Sequence, residues 1–190
     1  GVTHGVQLWL AQPEATRHGP QRFEHHAELP TFGTGALTGT TFIGSLGDVR
    51  SPVEVDTPVL GAQLTLDGGP VDLDLDESFE HAFVVLDGRA SLDDTVLEPD
   101  VLASVPVGRA GVRLATDRPT TLLLLGGPPF DEQVLMWWNF VGRTRGELSA
   151  SVSDWPSRRT TIALTLSPRC ASRMPITQAS CTAGCAYSSA

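Results

Sequence analysis

Residues 79–88, FEHAFVVLDG, constrain the chain more than any other stretch. Ala82, Phe83, Val84, Val85 and Leu86 form an apolar, strand-forming run that stops at Asp87-Gly88. That pair suits a tight hairpin because glycine takes φ > 0 without steric cost. Beyond it, residues 90–92 and 95–97 read as short returning strands around Asp93-Asp94, and Glu98-Pro99-Asp100 turns the chain into residues 101–105. Upstream, residues 60–66 and 71–75 alternate apolar and polar side chains about Asp67-Gly68-Gly69-Pro70, as antiparallel strands with one wet face do. Residues 112–115 and 121–125 complete the set, and the unbroken Leu run at 122–125 fits a strand buried on both faces. Short strands joined by turns predict an all-β, jelly-roll-like barrel.

The flanks read differently. Residues 5–10, GVQLWL, alternate and predict a strand closed by Gln12-Pro13. Residues 14–29 are polar, with Gly19-Pro20 and the cluster Glu24-His25-His26-Ala27-Glu28, and predict a connection between domains. Residues 33–47 are rich in Gly and Thr, with one short strand expected at 40–43. Gly126-Gly127-Pro128-Pro129 breaks the sheet, and Thr144-Arg145-Gly146-Glu147 matches the S/T-x-x-E capping box, predicting a C-terminal helix from about Arg145 to Asp154. The expected organisation is therefore a last strand of a truncated N-terminal domain at 1–13, a linker and lead-in at 14–50, the main domain at 51–143, a helix at 144–156, and a disordered or non-native tail at 157–190.

Charge separates the tail from the body. Residues 1–156 hold all 22 acids and nine arginines, a net charge of −13, whereas residues 157–190 carry four arginines and no acid. An acidic body repels phosphate backbones, which excludes direct nucleic-acid binding as an expectation. No apolar run approaches the roughly 20 residues of a membrane-spanning helix, and no secretory signal pattern is present, so a cytoplasmic protein is expected.

The turn spacing resembles the cupin double-stranded β-helix. With Gly88 as the closing glycine of the motif HxHxxxE, six residues, Gly, the ligand slots fall on Leu75, Glu77 and His81. With Pro106-Val107-Gly108 as the PxG of the second motif, its His slot falls on Gly111, and Asp100 stands where that motif opens with glycine. Three further blocks, in order, are similar to the pirin family of two-cupin proteins. They are His4-Gly5-Val6-Gln7-Leu8-Trp9-Leu10, the degenerate cupin from Phe79 to Gly88, and Gly126-Gly127-Pro128 followed by Met136-Trp137-Trp138-Asn139-Phe140-Val141-Gly142-Arg143-Thr144. The resemblance covers about residues 1–155 and implies the C-terminal part of a bacterial pirin-like protein. It implies a cofactor iron (Fe2+) held by three His and a Glu in an N-terminal cupin domain, upstream of this chain, and no cofactor in the chain itself. Some pirins are quercetin 2,3-dioxygenases, so the resemblance also implies that a full-length parent has this activity as the alternative to a purely structural role.

No catalytic or cofactor-binding residue is assigned. Glu77 and His81 are the candidate metal ligands, but two ligands fall short of the three or four of a stable site, which favours a polar lining of the barrel mouth. His25-His26 reads as a solvated linker and His4 as structural. Cys181 and Cys185 lack a partner pair, so with Cys170 they read as free thiols rather than a zinc site. Trp137-Trp138 is expected in buried core and a domain interface. The expected partners are the missing N-terminal domain or another protein, with self-association through the strand at 5–10.

Overall fold

A computed structural model describes residues 5–99 and 101–154. They fall into two compact units, one of residues 23–131 and one assembled from residues 5–22 and 132–154.

The larger unit is the β-domain. Its strands are β1 (Thr31–Thr34), β2 (Leu37–Leu46), β3 (Val49–Arg50), β4 (Leu60–Leu66), β5 (Gly69–Asp74), β6 (Glu80–Asp87), β7 (Ala90–Leu92), β8 (Thr95–Leu97), β9 (Leu102–Val105), β10 (Gly111–Thr116) and β11 (Thr120–Gly127). One sheet runs β1-β2-β4-β11-β6-β9 with β3 paired to β2, and the other runs β5-β10-β7-β8. Side chains alternate along each strand, so one set from each faces the core: Leu64 and Leu66 from β4, Phe83 and Val85 from β6, Val112 and Leu114 from β10, Leu122 and Leu124 from β11. Leu123 points the other way and is also buried, as the unbroken Leu run predicted. Gly88 has φ 90°, and a Cβ there would collide with Thr120 Oγ1, so the turn after β6 needs glycine for both conformation and space.

Two readings of the flanks are corrected here. The single short strand expected at 40–43 is part of the ten-residue β2, preceded by β1, so the sheet begins inside the stretch read as linker and lead-in (14–50). Gly39 and Gly61 disguise this edge. Phe32 lies over the position a Gly39 side chain would take, and Phe42 does the same at Gly61, so aromatic rings supply the packing that the glycines lack. Residues 5–10, expected as a strand, carry no regular secondary structure despite their alternation, and among the described residues no strand pairs with them.

The smaller unit contains β12 (Leu135–Trp137) and β13 (Phe140–Gly142), a hairpin paired only with itself, then α1 (Arg145–Asp154). The helix has the predicted bounds. Glu147 donates its N–H to Thr144 Oγ1 at 3.2 Å, half of the capping box. The return bond is displaced by one residue: the Glu147 carboxylate accepts the N–H of Arg143 at 3.0 Å. The expectation of a buried Trp pair is overturned, since Trp137 is 60% and Trp138 79% exposed. They sit at the tip of the hairpin, and no residue of α1 is buried against it. No helix among the described residues is long and apolar enough to cross a membrane. His4, Asp100, the three cysteines and the tail lie outside the described residues.

Candidate functional site

Among the described residues His81 is the one buried titratable side chain. It is the second residue of β6, on the inward face with Phe83 and Val85, and only 3% exposed. Its strand neighbours are Gly126 on β11 and Val105 on β9. The ring lies against the glycine: a Cβ on Gly126 would stand 2.8 Å from His81 Cδ2 and 3.2 Å from Nε2. Phe79 flanks it with ring centroids 6.0 Å apart. Both ring nitrogens are buried without a hydrogen-bond partner. Burial pushes the imidazole pKa below its ordinary value, and the nearby Asp76 carboxylate opposes this only in part. The Asp76 carboxyl is itself held low by the hydroxyl and N–H of Ser78, at 2.6 and 2.9 Å. Enclosure therefore favours the neutral form of the His81 imidazole.

The other slots do not complete a metal centre. Leu75 is buried and aliphatic, Gly111 has no side chain, and Glu77 is exposed while His81 is enclosed. Among the described residues no group of three or more His, Cys, Asp or Glu side chains is placed to hold a metal. The donor set thus does not fit iron, which needs more ligands than one imidazole and one solvent-facing carboxylate. His26 Nε2 lies 3.0 Å from Glu24 Oε2, and His25 is exposed beside them, so that cluster is a surface pair.

Two surface hollows escaped the sequence reading. One, of about 420 Å³, lies by Asp76 and Phe79, rimmed by Arg50, Asp56 and Pro58. The other, of about 320 Å³, lies over β5 and β10, where Arg113 forms a bidentate pair with Asp72 at 2.8 and 3.0 Å and donates its N–H to Asp93 at 2.9 Å. The first is lined mostly by residues 44–60 with Asp76 and Phe79, and the second joins residues 72–74, 93 and 111–113.

Two antiparallel sheets packed around an aliphatic core, with one buried histidine among the described residues, define a cupin domain. The sequence model of the Pirin C-terminal cupin domain matches residues 62–161, more than half of the chain, and the chain belongs to that family. It is 35% identical over 153 residues to a Pseudomonas aeruginosa protein named "Putative quercetin 2,3-dioxygenase", covering 80% of this chain and 49% of that one. A tomato (Solanum lycopersicum) pirin-like protein is 22% identical over 82% of this chain and 56% of its own length. Among solved structures, a quercetin 2,3-dioxygenase from Acinetobacter baumannii superposes with a TM-score of 0.75 at 31% identity, over 77% of this chain and 50% of that one. The chain spans about half the length of these relatives.

Proposed function

We propose that this chain is a non-catalytic cupin domain of a pirin-like protein, contributing structure, a domain interface and a docking surface for a protein partner. The observation that carries this reading is His81: the one buried imidazole among the described residues is enclosed in a setting that favours its neutral form, while the other expected ligand slots hold the aliphatic Leu75 and the bare Gly111. Iron chemistry, where a longer protein has it, then belongs to residues outside this chain. The second reading is part of an iron-dependent quercetin 2,3-dioxygenase-type enzyme with its metal site in another domain, and the names of the relatives at 35% and 31% identity favour it.

Anaerobic loading with Fe(II), desalting and metal analysis test the first reading, with a Glu77→Ala/His81→Ala double variant alongside. Negligible iron in both proteins is the expected result. Iron near one per wild-type chain and none in the variant would overturn it and make flavonol turnover assays on this chain worthwhile.

A further inference from the structure

The hollow of about 420 Å³ beside Asp76 and Phe79 has the size of a small-ligand site and a frame held in place by backbone contacts. One part of its lining is the β2–β3 hairpin, where Arg50 stands directly opposite Ser45. Cross-strand partners project from the same face with Cβ atoms about 5 Å apart, so the guanidinium and the hydroxyl are neighbours. Another part is residues 55–60. A Cβ on Gly44 would overlap the Val59 carbonyl, so a bare glycine is what lets that segment close against β2. Ser51 pins the turn between the two: its N–H donates to the Gly44 carbonyl and its hydroxyl to the Phe42 carbonyl, both at 2.9 Å. Leu46, Pro58, Leu60 and Phe79 make much of the remaining lining apolar.

The fold leaves charge of both signs unused in this hollow. Among the described residues the Arg50 guanidinium makes no hydrogen bond or ion pair. Asp76 accepts the hydroxyl and the N–H of Ser78 on the same oxygen, Oδ1, which holds its carboxyl below the ordinary range and leaves Oδ2 open. Asp56, also in the lining, has a partner of its own. A simple anion would be drawn to Arg50 but repelled by the two carboxylates, and a simple cation would be repelled by Arg50. A small molecule that carries both charges beside an apolar group suits all of the lining. We propose that the hollow binds a free aliphatic α-amino acid of about the size of leucine, with its carboxylate on Arg50 and Ser45, its ammonium on Asp76 Oδ2 and its side chain against Leu60 and Phe79. The guanidinium matches a carboxylate with two parallel N–H donors, which a lone ammonium does not offer.

Titration of the 190-residue chain with L-leucine, followed by the amide resonances of residues 44–60 and 76–79, is the test. Isocaproate, which lacks the ammonium, and isoamylamine, which lacks the carboxylate, are titrated beside it. Leucine is expected to bind, and each analogue to bind more weakly by about tenfold or more, as loss of a charge-assisted hydrogen bond does. Arg50→Gln and Asp76→Asn are each expected to weaken leucine by a similar factor. Arg50→Gln should also abolish the preference for leucine over isoamylamine, because the carboxylate then has no guanidinium to meet. Both side chains are exposed, so the fold is retained, which circular dichroism verifies. Resonances that stay unmoved at millimolar leucine overturn the proposal. So does isocaproate binding as tightly as leucine, which would make the hollow a plain anion site, and so does leucine binding that survives Arg50→Gln unchanged.

Discussion

His81 shows how one residue can be legible by position and misleading by chemistry. The spacing to Gly88 makes it a candidate ligand, and in the structure it is buried on the same face of β6 as Phe83 and Val85. Spacing also shows Leu75 and Gly111 where further ligands would be; what it does not contain is the enclosure that leaves the imidazole buried with both nitrogens bare. A buried polar atom without a partner costs about 1–3 kcal/mol. Replacing His81 with leucine is therefore expected to raise stability at pH 7 by about 1–2 kcal/mol, read from urea unfolding. The pH dependence has a definite sign. Because the folded-state pKa lies below the unfolded value of about 6.5, the unfolded chain takes up the proton first. The contribution of neutral His81 is thus complete above about pH 6.5 and falls away as pH drops towards the folded pKa. His81→Leu should flatten the wild-type loss of stability in that window; an unchanged slope would show that His81 is not the group responsible.

Individual elements were legible in proportion to how local their causes are. Helix α1 follows from Thr144 and Glu147, three residues apart, and its bounds were readable for that reason. Strands β4, β6 and β11 announce themselves by alternation or by an apolar run. In contrast, β1 and β2 depend on rings crossing to glycines on neighbouring strands, and the hairpin of β12 and β13 depends on a left-handed tryptophan, neither of which a propensity argument finds. The smaller unit holds its elements together by charge. Arg143 pairs with Glu132 at 2.8 Å and donates to the Gln12 carbonyl, while Arg17 pairs with Glu14 and, at 3.1 Å, with Glu147. These guanidiniums are mostly covered, with side chains 13 and 17% exposed, so they lose more on disruption than open surface pairs. Arg143→Met should release residues 12–17 from the hairpin and helix. Limited trypsin digestion after Arg17 is expected to accelerate by about tenfold, the result of losing about 1.4 kcal/mol of protection. Cleavage at the wild-type rate would show that the segment is held by something else.

At the scale of the whole chain the two units rest on different physics. Every residue of the buried aliphatic core belongs to residues 37–124, inside the β-domain, whereas the described part of the smaller unit adds none. A core gains stability from buried area and is insensitive to salt, while ion pairs near the surface weaken when the Debye length shrinks to about 3 Å at 1 M. The two units should therefore not unfold as one. The chain supplies its own reporters: Trp9, Trp137, Trp138 and Trp155 all lie outside residues 23–131, so tryptophan fluorescence follows the terminal segments. Far-UV circular dichroism is dominated by the eleven strands of the β-domain. In a thermal or urea titration the fluorescence transition is expected to come first and to move lower in 1 M sodium chloride, leaving the dichroism midpoint nearly unchanged. Coincident transitions at both ionic strengths would mean that the terminal unit draws its stability from the aliphatic core after all, since only shared burial makes separate elements melt together.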